Sequence, residues 1–212
     1  EQISTSATTI TTTDSSLALS QAEIAGPLTA RTGTGAIRLA DVNVTGNAIL
    51  VGGAIGSDAS GGGETRLRVT GALDLDGTDV DLTDLSILGA VTLNAAGDVT
   101  LDDASFADIT ANADGTVTIT DAGATTTVLN AGGALNVTNM RSGALDADAG
   151  GTATLEAVQV AGAADILSTG GEIGLGSVKV GGLLNAEAAA GSVSTFTGTL
   201  SLAEVTVAAP VA

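Results

Sequence analysis

Carboxylates are the abundant reactive groups of this chain, and their spacing is regular. Asp41, Asp84, Asp103 and Asp121 recur at one position of a repeating pattern, with Arg66 and Asn139 at the same position of intervening and following units. Asp102 adds a further acid beside Asp103. If the units stack, Asp84, Asp103 and Asp121 lie one layer apart, at roughly 5 Å, where ionised carboxylates repel unless a cation or a proton intervenes. Two chemistries fit. Asp84, Asp102, Asp103 and Asp121 could form a Ca²⁺ ladder, because hard oxygen ligands suit that ion. Alternatively, each Asp caps a chain reversal by accepting a backbone hydrogen bond. The second fits the residues better, because neither EF-hand nor G-G-x-G-x-D spacing is present. No cofactor other than Ca²⁺ is expected.

Other chemistry is closed off by composition. The 212 residues include no His, Cys, Trp or Tyr. Thiol nucleophiles, zinc–thiolate sites and a Ser-His-Asp triad are therefore impossible. Sugar-gripping aromatics are missing, and Arg66, Arg68 and Arg141 are too sparse for a uronate groove. The chain is not expected to be an enzyme. With 24 acids against 6 bases and a net charge of −18, nucleic acid is excluded as a partner. No apolar run approaches the ~20 residues of a membrane-spanning helix.

The elements that hold the carboxylates are read from a repeat of 18 to 21 residues. Its best apolar column is Leu19, Leu39, Leu82, Leu101, Ile119, Val137, Leu155, Leu175 and Leu202. Apolar residues also stand two before it, three after it and five after it, with Ser142 breaking the last of these columns. A looser pair follows, as at Leu28 and Ala30 or Leu73 and Leu75. Alternation with period two means short strands, and recurring Gly such as Gly46, Gly71 and Gly89 marks tight turns between them. The apolar fraction is 44 %, yet Phe106 and Phe196 are the only aromatics. A core one or two side chains wide is built that way. The expectation is an all-β, single-domain parallel β-solenoid of about nine to ten coils.

Its boundaries follow. Residues 1–15 read as an extended tail or a strand donated to a neighbour, and residues 16–212 as the solenoid. Irregular segments are expected at 57–64 and 192–197, and an incomplete last coil at 199–212. The chain starts at Glu1, as expected of a cleaved secretory signal or a fragment.

Segments such as DVTLDDASFADITANADG (98–115) and TVTITDAGATTTVLNAGG (116–133) resemble the repeats of filamentous-haemagglutinin-type adhesins. The resemblance implies a secreted right-handed parallel β-helix, and it transfers no functional residue. The expected function is a secreted structural subunit that assembles head to tail with copies of itself into a cell-surface filament. Cell-surface or matrix contacts are further expected partners. Ile3, Ile10, Leu17 and Leu19 at one pole would meet Leu200, Leu202, Val205 and Val207 at the other. The alternatives are a stalk segment of a large adhesin and a polysaccharide-binding or -cleaving β-helix.

Overall fold

The structure is a computed structural model. It describes residues 2–3, 7–57, 66–195 and 201–208, with side chains described for 7–56 and 66–194. The chain forms an all-β parallel solenoid of about nine turns, with its strands in a single sheet and no helix among the described residues. Each coil runs through three faces. In the coil that begins at Leu17, the strand Leu17–Ile24 covers the first two faces and Leu28–Arg31 the third. Every such strand pairs in parallel with its equivalent one coil on, as Leu17–Ile24 does with Ile37–Val44.

The apolar columns drive this stacking. Leu82, Leu101, Ile119 and Val137 follow one another in register on the first face, each essentially without solvent exposure. Leu85, Ala104, Ala122 and Met140 do the same on the second face. Leu73, Val91 and Ile109 begin the third. A large aliphatic side chain removed from water contributes about 1.5–3 kcal/mol. Summed over the columns, that burial replaces the aromatic core of an ordinary domain.

Ser142, which breaks its column, is accommodated by chemistry rather than by an apolar neighbour. Thr127 occupies the third-face position between Ile109 and Leu145 and is fully buried. Its hydroxyl lies 2.9 Å from Ser142 Oγ, and Ser142 Oγ donates to the Ala144 carbonyl at 2.5 Å. The two hydroxyls thus satisfy each other inside the core, which removes the desolvation penalty of leaving either one unpaired.

Three sequence expectations need correction. Residues 1–15 hold strands of the chain's own solenoid rather than a tail or a donated strand. Gln2–Ile3 pairs with Glu23 and Ile24, and Thr8–Thr11 with Leu28–Arg31. The Ile–Thr alternation of this segment matches the coil edge beside it, and the covalent tether raises the effective concentration of that edge.

Val193–Thr195 is no insertion: it pairs with Ile173, Gly174 and Leu175 and supplies a first face. Ser201–Ala208 therefore runs on the second and third faces, with Leu202 beside Val180, Val205 beside Leu184 and Val207 beside Ala186. The described coil there is one with all three faces rather than a half coil begun at residue 199. Leu202 thus leaves the first-face column.

Near the other irregular segment, Ile55–Ser57 supplies the first face of the coil that continues at Leu67–Val69. Residues 58–65 lie outside the described residues.

The stacked glycines stand at bends between strands, as the sequence predicts, and most are there for closeness rather than for backbone conformation. Among them only Gly46 has a left-handed backbone, with φ 136°. Gly71 and Gly89 are required by proximity: each N–H donates to the carbonyl of the glycine one coil back, at 2.9 and 3.1 Å. A Cβ on Gly89 would stand 2.5 Å from the Gly71 carbonyl group.

Candidate functional site

The predicted carboxylate column exists, and it forms the first corner of each coil. Strand register places Asp84 beside Asp103 and Asp103 beside Asp121. Their backbones share an unusual conformation. Gln21, Asp41, Arg66, Asp84, Asp103, Asp121, Asn139, Ala157 and Ser177 all have φ between 36° and 56°. One left-handed residue per coil turns the chain from the first face to the second. That conformation costs an ordinary residue about 1–2 kcal/mol, and Asp and Asn tolerate it best apart from glycine. The recurrence of Asp and Asn in this column therefore has a backbone cause.

Side chains along the column also interact from coil to coil. Arg66 Nε donates to Asp84 Oδ2 at 3.1 Å, and Asn139 Nδ2 donates to Asp121 Oδ1. The Arg66–Asp84 pair is solvent-exposed on both sides, so it contributes at most about 1 kcal/mol. Asp102 belongs to a neighbouring column, between Thr83 and Thr120. Among the described residues, no three acidic side chains gather on one point as a metal cage would require.

Other acids work on the backbone. Asp79 Oδ1 accepts the Asp98 N–H at 3.0 Å, and Asp98 Oδ1 accepts the Thr116 N–H at 2.7 Å. Both bonds reach into the next coil, whereas the expected corner cap stays within its own turn. They staple successive layers.

The third face carries a constellation that the sequence reading did not single out. Asn94, Asn112 and Asn130 stand in register one coil apart, with Asp76 before them and Asp148 after them. Asn112 Nδ2 donates to Asn94 Oδ1 at 2.9 Å, and Asn130 Nδ2 donates to Asn112 Oδ1 at 2.7 Å. The amides thus form a ladder with one direction. It lines an open groove of about 710 Å³, walled on the other side by corner residues including Ala96, Asp114 and Thr169. The doublets Asn94–Ala95, Asn112–Ala113, Asn130–Ala131 and Asp148–Ala149, spaced by 18 residues, are the sequence signal that could have found it.

Asp148 has an altered acidity. Its carboxyl is raised above the ordinary value, first by loss of hydration against the coil and then by the negative charges of Asp146 and Asp165.

Of the expected subunit-contact residues, those that are described fall near the two poles. Leu19 is buried, and Ile10 and Leu17 are partly buried against the core. Ile3 pairs in register with Ile24. Leu202, Val205 and Val207 are placed by strand register alone, and Leu200 lies outside the described residues. Among the described residues no helix is long and apolar enough to cross a membrane. Comparison with family models, curated proteins and solved structures finds no match.

Proposed function

We propose that the chain is a structural subunit of an extracellular filament, extended head to tail by stacking one solenoid on the next. The observation that carries this reading is the uniform stacking of the coils. Interior strands such as Val99–Ser105 and Val117–Ala131 pair in register with their equivalents on both sides, so a coil edge is a template for another coil. Among the described residues, Thr8–Thr11 at one pole and Ser201–Ala208 at the other pair on one side only. Joining unlike poles is a heterologous contact, and such contacts propagate as open fibres when the rotation does not close. By strand register, the apolar columns that would continue across the joint end at Leu17 and Val193 on the first face, at Ile3 and Leu202 on the second, and at Ile10 and Val207 on the third. The net charge of −18 opposes the joint, so salt should promote it by screening.

The test targets the exposed backbone. Thr8 and Thr12 donate their N–H groups to Pro27 and Arg31 in the next coil. Alternation along the strand turns the N–H groups of Thr9 and Thr11 to the unpaired side. Thr9→Pro combined with Thr11→Pro removes those two donors while sparing the bonds to Pro27 and Arg31. Wild-type protein should form filaments in negative stain, lengthening with salt. The double variant should keep its strand circular dichroism and remain in short stacks or monomers. Wild-type monomers at all salt concentrations, or unchanged filaments from the folded double variant, would overturn the reading.

A further inference from the structure

The amide ladder of the third face has two different ends. Asn94 accepts from Asn112, and Asn112 accepts from Asn130. Every amide oxygen up to Asn112 therefore has a donor in the next coil. Asn130 Oδ1 is the next acceptor in line, and the residue in register beyond it is Asp148. An ionised carboxylate offers only acceptor oxygens, whereas a protonated one offers an O–H. Oxygen then faces oxygen when Asp148 is charged, and a donor meets an acceptor when it is neutral.

We propose that Asp148 is a proton-operated rung of this ladder: protonated, it donates to Asn130 Oδ1 and extends the ladder by one coil; ionised, it breaks the ladder there.

The surroundings favour the proton. Asp146 lies two residues earlier on the same strand, and Asp165 is in register with Asp146 in the next coil. The other neighbours carry no charge. Asn130 and Val128 stand in the preceding coil and Leu167 in the following one. Beyond Leu167 comes Glu187, and along the groove lie Asp76 and Asp114. Among the described residues on these strands, no Lys or Arg faces Asp148 to hold it ionised. Burial and the two nearby aspartates accordingly raise its pKa above the ordinary value.

The direction of the pH effect follows from linkage. A carboxyl whose folded pKa is raised binds its proton more tightly in the native state than in the unfolded chain. Its contribution to stability is therefore gained as pH falls through the folded value, down to the unfolded one. Most carboxylates of native proteins act in the opposite sense.

The test combines a titration with substitutions in the full chain. Carboxyl carbon NMR should show Asp148 titrating above the ordinary aspartate value. Asn130→Leu removes the acceptor and keeps the desolvation, so the Asp148 pKa should fall if the hydrogen bond is real. No change, or a rise, would overturn the proposal. Asp148→Asn supplies a permanent N–H donor. It should raise the neutral-pH Tm by about 2–4 °C and flatten the acid-side gain. Asp148→Leu removes the charge without supplying a donor and should raise Tm less. Equal gains from Asn and Leu would mean that charge relief alone is at work and would also overturn the proposal. If either Asp148 variant does not fold, the titration of the wild type against Asn130→Leu decides.

Discussion

At the first corner of the coils, nine residues of six types turn the chain, from Gln21 to Ser177, all with φ between 36° and 56°. At the second corner, Gly46, Gly71 and Gly89 stack with their backbones in hydrogen-bond contact. The first corner makes its bend by a backbone conformation, and its side chains stand in solvent or half-buried, where Arg, Ala and Ser are all accommodated. The second makes its bend by close approach, and at Gly89 an added methyl would meet the Gly71 carbonyl. Repetition of one residue type in a column can thus arise from two distinct physical demands. Close approach restricts the residue type where it is tightest, as at Gly71 and Gly89, while Ala107 and Thr125 hold the same column one and two coils beyond Gly89.

The largest effect should come from placing a side chain at the crowded corner. Gly89→Ala sets a methyl against the Gly71 carbonyl. It should cost about 1–3 kcal/mol, the usual range for overpacking. That corresponds to about 2–4 °C of Tm per kcal/mol in a chain of this size, read by thermal circular dichroism. An unchanged Tm would erase the distinction between the two corners.

The opposite substitution at the first corner should stabilise. Ala157→Gly relieves a left-handed penalty of about 1–2 kcal/mol. Glycine's extra unfolded-chain entropy takes back about 0.5–1 kcal/mol. The expected net gain is about 0.5–1 kcal/mol in chemical denaturation. A loss of stability would mean that the alanine methyl contributes packing that outweighs its backbone strain.

The smallest effect is expected where Asp is replaced by Asn within the same column. Asn tolerates the left-handed region as Asp does, so Asp103→Asn should stay within about 0.5 kcal/mol of wild type. Millimolar Ca²⁺ should leave the melting of both proteins nearly unchanged. A calcium-dependent rise in Tm that Asp103→Asn diminishes would instead show that Asp84, Asp103 and Asp121 hold an ion in addition to turning the chain.

Much of this was legible in the sequence. The column Leu39, Leu82, Leu101, Ile119 and Val137 announces stacked strands, because alternation with period two admits no other regular element. The position of Asp84, Asp103 and Asp121 was legible as well. Its cause was not, because a column of Asp looks the same whether it binds an ion, caps a turn or adopts a left-handed backbone. The amide ladder escaped notice for a related reason. Asn94, Asn112 and Asn130 read singly as ordinary polar surface, and their meaning appears once strand register brings them one coil apart.

What the sequence by itself determined is the local code: short strands, apolar on the inward side, broken at regular intervals by corner residues. That code is the same on all faces, since any alternating stretch can serve as a first, second or third strand. Which face a stretch occupies was decided only by the tertiary structure. Leu202 has the sequence pattern of a first-face residue and lies on the second beside Val180, because Val193–Thr195 fills the first face against Ile173–Gly176 and the rest of the coil has to follow. Thr8–Thr11 has the sequence of a tail and lies on the third face, because the neighbouring edge at Leu28–Arg31 offers its strand a partner. Register is a property of the coil next door, and a single coil's residues do not contain it.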